Sequence, residues 1–297
     1  MTEPTIKFLP QDQRVKQSIW LQDFRKNIVT KYGEDGLIEK IFEVIGTQNK
    51  FLCDVGAADG KHHSNSYNLL VNKEWQGVLF EPTKQRYKEL KELYRENKQI
   101  LTRYDFVGLE KHNDLDFHLD QLENKVPQNF DFLSIDIDGC DVHIWKDIKR
   151  YRPRVVCIEF NPCISLDIYF LQARDLSVNQ GNSLLAICEE AKDMGYELIA
   201  TTQLNAFFVE RSEFQKFKIT DNSPKAMHFL EDKATHILMT YDGHLFLAGR
   251  THHPWKHFEL REESIQVLPP EYQKWKADGR LSFATQNKQK VRVEAAI

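Results

Sequence analysis

The chain has few cysteines and no pattern among them. Cys53, Cys140, Cys157, Cys163 and Cys188 are the only five thiols in 297 residues, and no two of them form a CxxC pair. An odd set without that spacing excludes a zinc-finger type of site and a secreted disulfide framework. Lying in apolar or small-residue stretches, they are expected to be reduced thiols in or near the core. Long apolar runs are missing too: no window of about 18 residues is both uncharged and predominantly apolar. The opening MTEPTIKFLPQDQRVKQ carries no signal-peptide pattern. No membrane partner is expected, and the expected location is cytoplasmic. A basic excess is also lacking, since 40 basic and 44 acidic residues leave a net charge of −4. That balance excludes a dedicated nucleic-acid scaffold, and no nucleic-acid partner is expected. Internal repeats and low-complexity segments are absent. What remains is an ordinary soluble composition, 41% hydrophobic and 28% charged, able to bury a core. At roughly 150 residues per domain the length fits one large or two modest domains.

Apolar residues recur at helical spacing over residues 12–47: Val15, Ile19, Phe24 and Ile28, then Leu37, Ile41 and Ile45 with Phe42 beside them. Two helices are expected there, separated at Gly33 and Gly36. From residue 50 onward, short β-rich runs alternate with longer amphipathic stretches, which is the pattern of parallel strands joined by crossover helices. The spacing predicts strands over 50–55, 77–81, 100–107, 132–137 and 155–160, then a closely spaced pair over 196–200 and 206–209. Helices are predicted over 64–72, 83–97, 142–148 and 183–194. The last two strands are too close for a parallel crossover, so they are expected as an antiparallel hairpin at the sheet edge. Beyond Arg211 the alternation stops, and ATHILMTYDGHLFLAGR reads as a second hairpin turning at Asp242 and Gly243. The tail from Gln286, with Lys288, Lys290 and Arg292, reads as a solvated terminus. The fold class is therefore α/β, divided into an N-terminal helical cap (1–48), a core (49–211) and a C-terminal extension (212–297).

Three segments carry chemistry. In FLCDVGAADGKHHSNSYNLL, residues 51–70, an apolar strand delivers Asp54 into a tight turn containing Gly56, Ala57 and Gly60. Ligands of open α/β sheets sit beyond the carboxyl ends of strands, and the glycines are expected to let the backbone approach an adenosyl group. The spacing G-x-x-x-G is not the GxGxxG of nicotinamide or flavin binding. Glu81, at the end of the next strand in VLFEP, is placed to accept two ribose hydroxyls. In DFLSIDIDGCDVHIW, residues 131–145, strand alternation sets Asp136 and Asp138 on one face. Two such carboxylates call for a cation, a bound proton or ligand donors, while Asp141 suits a helix cap. In RVVCIEFNP, residues 154–162, Glu159 and Asn161 point toward the same edge. Asp136, Asp138, Glu159 and Asn161 are all oxygen donors, so Mg²⁺, Mn²⁺ or Ca²⁺ is one reading. A metal-free site with one carboxylate as general base is the other. His62 and His63 follow the glycine turn, with His63 the preferred base or ligand. His143, His252 and His253 are not expected to be catalytic.

These motifs in this order, DVGAADG, LFEP, SIDIDGCD, IEFNP and YELIATTQLNAFFV, resemble the FkbM-type S-adenosylmethionine-dependent methyltransferases over about residues 32–211. The lead-in YGEDGLIEKIF is similar as well. The resemblance implies a Rossmann-like class I methyltransferase fold, a seven-stranded, mostly parallel sheet in the order 3-2-1-4-5-7-6 with helices on both faces. It implies S-adenosylmethionine over the ends of strands one and two: Gly56 and Gly60 along the methionine and adenosyl parts, Glu81 on the ribose, Asp105 or Phe106 near the adenine, and Asp136 at the methionine end. The chain departs from the family in having Asp138 where many members have Glu, and in its long C-terminal extension.

The expected activity is O-methylation of a hydroxyl on a sugar or another small metabolite, with Asp138, Glu159 or His63 as the deprotonating group and Mg²⁺ or Mn²⁺ as a candidate helper. N-methylation or another adenosylmethionine-using reaction is the alternative within enzymes. A non-catalytic adenosyl-binding module is the alternative outside them. Trp20, Trp255 and Trp275 either stack on a carbohydrate acceptor or fill a core. A homo-oligomer paired through the C-terminal hairpin and a hairpin packed on its own subunit are both open.

Overall fold

A computed structural model describes residues 4–122, 125–229, 234–269 and 273. The tail from Gln286 and Trp275 lie outside the described residues. The chain divides into two units, Pro10–Ala234 and a second unit of residues 1–9 with 235 onward.

The larger unit is built on β1 (Phe51–Val55), β2 (Gln76–Phe80), β3 (Ile100–Arg103), β4 (Phe132–Ile135), β5 (Val155–Glu159), β6 (Tyr196–Thr201) and β7 (Asn205–Glu210). The sheet order is β3-β2-β1-β4-β5-β7-β6, with β7 antiparallel to both neighbours and the other pairings parallel. This is the strand order and mostly parallel sheet that the resemblance implied. β6 and β7 form the expected hairpin. Its short turn is held by Thr202, whose N–H donates to the Asn205 carbonyl at 2.7 Å.

Six helices interleave with these strands: α1 (Glu34–Ile45), α2 (Tyr67–Asn72), α3 (Lys84–Leu93), α4 (Leu115–Asp120), α5 (Asp141–Asp147) and α6 (Leu184–Asp193). Every residue of β1 is buried, as in parallel strands covered on both faces. Phe51, Cys53 and Val55 pack with Leu115 of α4, Trp145 of α5 and Ile187 of α6. Leu52, from the opposite face, packs with Ile41 of α1, Leu69 of α2 and Leu90 of α3. Leu21 and α1 thus share the core of the sheet. The five cysteines are free thiols, four of them buried.

Three sequence expectations need correction. Residues 12–32 form no α-helix, only a 3-10 turn at Trp20–Phe24. Here the Asp35 carboxylate accepts the N–H groups of Ile28, Val29 and Thr30 at 2.7, 3.0 and 3.0 Å, which folds the segment into a loop. Gly33, at φ 93°, caps α1, while Gly36 lies inside it, where a Cβ would meet the Phe24 carbonyl oxygen at 2.1 Å. β3 ends at Arg103, and α4 follows unannounced, capped by Asp114, whose side chain accepts the Phe117 N–H at 2.7 Å.

In the second unit, β8 (Thr235–Met239) and β9 (Leu245–Gly249) form the expected antiparallel hairpin, with Asp242 and Gly243 in its turn. No described helix is long and apolar enough to cross a membrane.

Candidate functional site

Beyond the carboxyl end of β1 the chain turns sharply. The N–H groups of Gly56 and Ala57 both donate to the Phe80 carbonyl, at 3.1 and 3.0 Å, and Gly56, Ala58 and Gly60 have φ of 88°, 50° and 79°. The glycines are required by the protein itself. A Cβ on Gly56 would lie 1.9 Å from the Asp136 carbonyl oxygen, and one on Gly60 would lie 2.4 Å from Leu90 Cδ1. Close packing onto the turn after β4 and onto α3 thus requires both glycines in its own right.

Glu81 follows β2 and is buried. Its Oε2 accepts the Ala58 N–H at 2.9 Å and its Oε1 accepts the Thr83 N–H at 2.7 Å, so one carboxylate ties the glycine turn to the next. Asp105 and Phe106 lie past the end of β3. Asp105 is half-buried, 3.9 Å from Arg103 Nε, and Phe106 and Tyr104 are each 51% exposed at this edge, the Tyr104 ring centroid lying 5.3 Å from that of Tyr87.

Asp54, in β1, is buried opposite Ser134 of β4. Burial above all, with the charges of Asp136 and Glu81, raises its carboxyl to about 7 against the pull of Ser66 and Ser134. The two aspartates of the second motif do not share a strand face as expected, because β4 ends at Ile135 and Asp138 sits at φ 60°. A turn, rather than strand alternation, brings them together. Asp136, Asp138 and Glu159 each offer an oxygen within 4.8 Å of the others.

Within this trio, burial and the charges of Asp136, Asp141 and Asp138 push the Glu159 carboxyl up strongly. Asp136 is raised as well, first by the protein packed around it and then by Asp138, although one side of the group opens to solvent, which tempers the shift. Three carboxylates this close favour a bound proton or a cation among them.

The Asn161 amide is bonded within its own connection. Its Nδ2 donates to the Gln180 carbonyl at 2.9 Å and its Oδ1 accepts the Cys163 N–H at 2.9 Å, so it braces the segment 161–182. Asp141 is not the helix cap. It is the first residue of α5, and its carboxylate accepts the N–H groups of Ile137 and Gly139 at 2.9 and 2.8 Å. His63 has an exposed ring and a backbone N–H on the Val29 carbonyl at 3.2 Å, while His62 pairs with Asp59. His143 Nε2 bonds the Gln172 carbonyl at 2.7 Å. Trp20 donates to the Phe217 carbonyl at 2.8 Å, and Trp255 is 44% exposed.

The sequence reading missed the polar groups behind Glu159. Asn205 pairs with Glu159 across β5 and β7, and its Nδ2 reaches Glu34 Oε1 at 3.4 Å. Asn65 Nδ2 donates to the buried thiol of Cys157 at 3.4 Å. The acidic pair inside YGEDG was the available signal for Glu34 and Asp35; nothing local marked Asn205.

No protein-family model and no curated protein matches the chain. Among solved structures, the chain is similar to the N-terminal domain of EvdMO1 in the presence of SAH and D-fucose, at 14% identity over 60% of this chain and 82% of that one, with a TM-score of 0.41. A TehB-like SAM-dependent methyltransferase from Corynebacterium glutamicum is 14% identical over 62% and 89%, with a TM-score of 0.38. A SAM-dependent methyltransferase from Aquifex aeolicus is 12% identical over 57% and 86%, with a TM-score of 0.36.

Proposed function

We propose that the chain is an FkbM-type S-adenosylmethionine-dependent methyltransferase that methylates a hydroxyl of a sugar or another small metabolite. The observation that carries this reading is the contact between two turns. The glycine turn, which the motifs assign to the cofactor, packs through Gly56 onto the backbone of Asp136. A ligand on the first turn has the acid trio as its neighbour.

The residues fit an adenosyl ligand. Each Glu81 oxygen accepts one N–H and keeps a lone pair for a ribose hydroxyl, and Phe106 and Tyr104 offer exposed rings to a base. When bound, the cofactor supplies an electrophilic methyl group on a sulfonium. The chain's own tasks are alignment, which contributes roughly 7 to 11 kcal/mol in favourable cases, and removal of the hydroxyl proton. Burial pushes the Glu159 and Asp136 carboxyls up, and the exposed carboxylate of Asp138 is the base favoured here. The exposed ring of His63 is the other candidate.

The spacing of the trio supports a second element of the reading. Three carboxylates with oxygens within 4.8 Å of one another suit Mg²⁺ or Mn²⁺, which would act as a Lewis acid on the acceptor hydroxyl. Incubation with S-adenosylmethionine and a panel of sugars and small hydroxylated metabolites, with and without each cation, tests the proposal by mass spectrometry. Methyl ethers together with adenosylhomocysteine support it. N-methyl products, or retained cofactor with no product from any acceptor, overturn it.

A further inference from the structure

The left-handed conformation of Asp138 has an identifiable cause outside its own turn. A non-glycine residue stays at positive φ only where its surroundings over-determine it. Three groups do so here. The Asp141 carboxylate accepts the N–H groups of Ile137 and Gly139, at 2.9 and 2.8 Å, on either side of Asp138. From the long connection between β5 and α6, Asn182 Nδ2 donates to the Gly139 carbonyl at 2.9 Å. Its own Oδ1 accepts the Gln172 N–H at 2.9 Å, which leaves the amide one orientation.

Gln172 completes the frame. Its Oε1 accepts the N–H groups of Gln180 and Gly181 at 2.7 and 3.0 Å, and its Nε2 donates to the Val178 carbonyl at 2.8 Å. Gln172 and Asn182 are each 1% exposed. The backbone carbonyl of Asn182 also accepts the Asn161 N–H at 2.8 Å, two residues past Glu159. One buried residue, through its side chain on one side and its backbone carbonyl on the other, therefore joins the end of β5, which carries Glu159, to the turn after β4, which carries Asp138. Amides suit this task because they hold geometry without adding charge beside three carboxylates, and a buried polar network is rigid when every member is bonded.

We propose that Asn182, seated on Gln172, is a positioning residue that holds Asp138 in its left-handed turn and so keeps its carboxylate beside Asp136 and Glu159. The catalytic part of this proposal rests on the methyltransferase reading; the conformational part does not.

The test uses the full chain with Asn182→Ala, and with Asn182→Asp, which keeps the size and the acceptor but removes the donor to Gly139. Crystal structures of both variants, with the three-bond HN–Hα coupling of Asp138 in solution, read the conformation directly. Asp138 is expected to move to negative φ, while calorimetric affinity for adenosylhomocysteine stays within about threefold of wild type. On an acceptor that wild type methylates, kcat is expected to fall about tenfold or more with KM little changed. Asp138 remaining at positive φ in both variants overturns the proposal. So does a wild-type kcat in a variant whose Asp138 has moved to negative φ. Should wild type transfer no methyl group to any acceptor, the functional reading fails while the conformational readout still decides the brace.

Discussion

Gly56 and Asp136 are in backbone contact: a Cβ added to the glycine would stand 1.9 Å from the aspartate's carbonyl oxygen, at a φ of 88°. The turn after β1 and the turn after β4 are thus one packed unit. Gly56→Val, which on the motifs alone would simply fill a ligand's space, is instead expected to displace both turns. It should lower stability by about 1 to 3 kcal/mol, as overpacking does, and abolish adenosylmethionine binding with it. Urea unfolding checks this; an unchanged midpoint with lost binding would restore the simpler steric reading.

A cleaner probe of the cofactor side is Glu81→Gln. The substitution keeps the size of the buried side chain but loses an acceptor that serves the Ala58 or Thr83 N–H and a ribose. Affinity for adenosylhomocysteine is expected to fall about 10- to 100-fold, or roughly 1.4 to 2.8 kcal/mol. Calorimetry with unaltered affinity would remove Glu81 from the cofactor site.

Asp138→Asn should leave cofactor affinity intact and abolish turnover, because it removes the proposed base while preserving shape. Asp138→Gly should do the same with no loss of stability, since glycine adopts φ near 60° freely and this offsets its greater chain entropy. Unchanged turnover in the first variant would exclude Asp138 as base. A loss above about 1 kcal/mol in the second would show that the turn stores no strain at that residue.

Asp54 makes stability depend on pH. Its folded carboxyl is raised from 3.8 to about 7, chiefly by burial. Between those values the folded chain keeps a proton that the unfolded chain has released. Its contribution to stability is therefore greatest below about pH 4, falls as pH rises to about 7, and is constant above. Asp54→Asn should remove that fall, gaining stability over wild type near pH 8 but not near pH 4. Denaturant midpoints at the two pH values check the sign; an equal change at both would mean that Asp54 is ionised throughout.

Strands and the hairpin order were legible because apolar runs such as FLCDV and VVCIE, bounded by turn residues, have few alternatives. The segment 12–32 misled because Asp35, several residues downstream, takes the N–H groups a helix would have used. α4 carries only a short LDFHLD pattern, too brief for periodicity to register. In the site, Asp136, Asp138 and Glu159 could be read from strand ends, although a turn, not the pleat, joins the first two. The bonding of Asn161 and the roles of Gln172 and Asn182 were not legible, because an amide's partners in an irregular connection follow from tertiary closure and leave no periodic trace.

In the proposed function the glycine turn and Glu81 receive an adenosyl cofactor. Calorimetric titration of S-adenosylmethionine, adenosylhomocysteine and NAD into metal-stripped protein, repeated with Mg²⁺ and Mn²⁺, tests it most directly. The account predicts micromolar binding of the first two and none of NAD. Binding of NAD alone, or of none of the three under any condition, would contradict it.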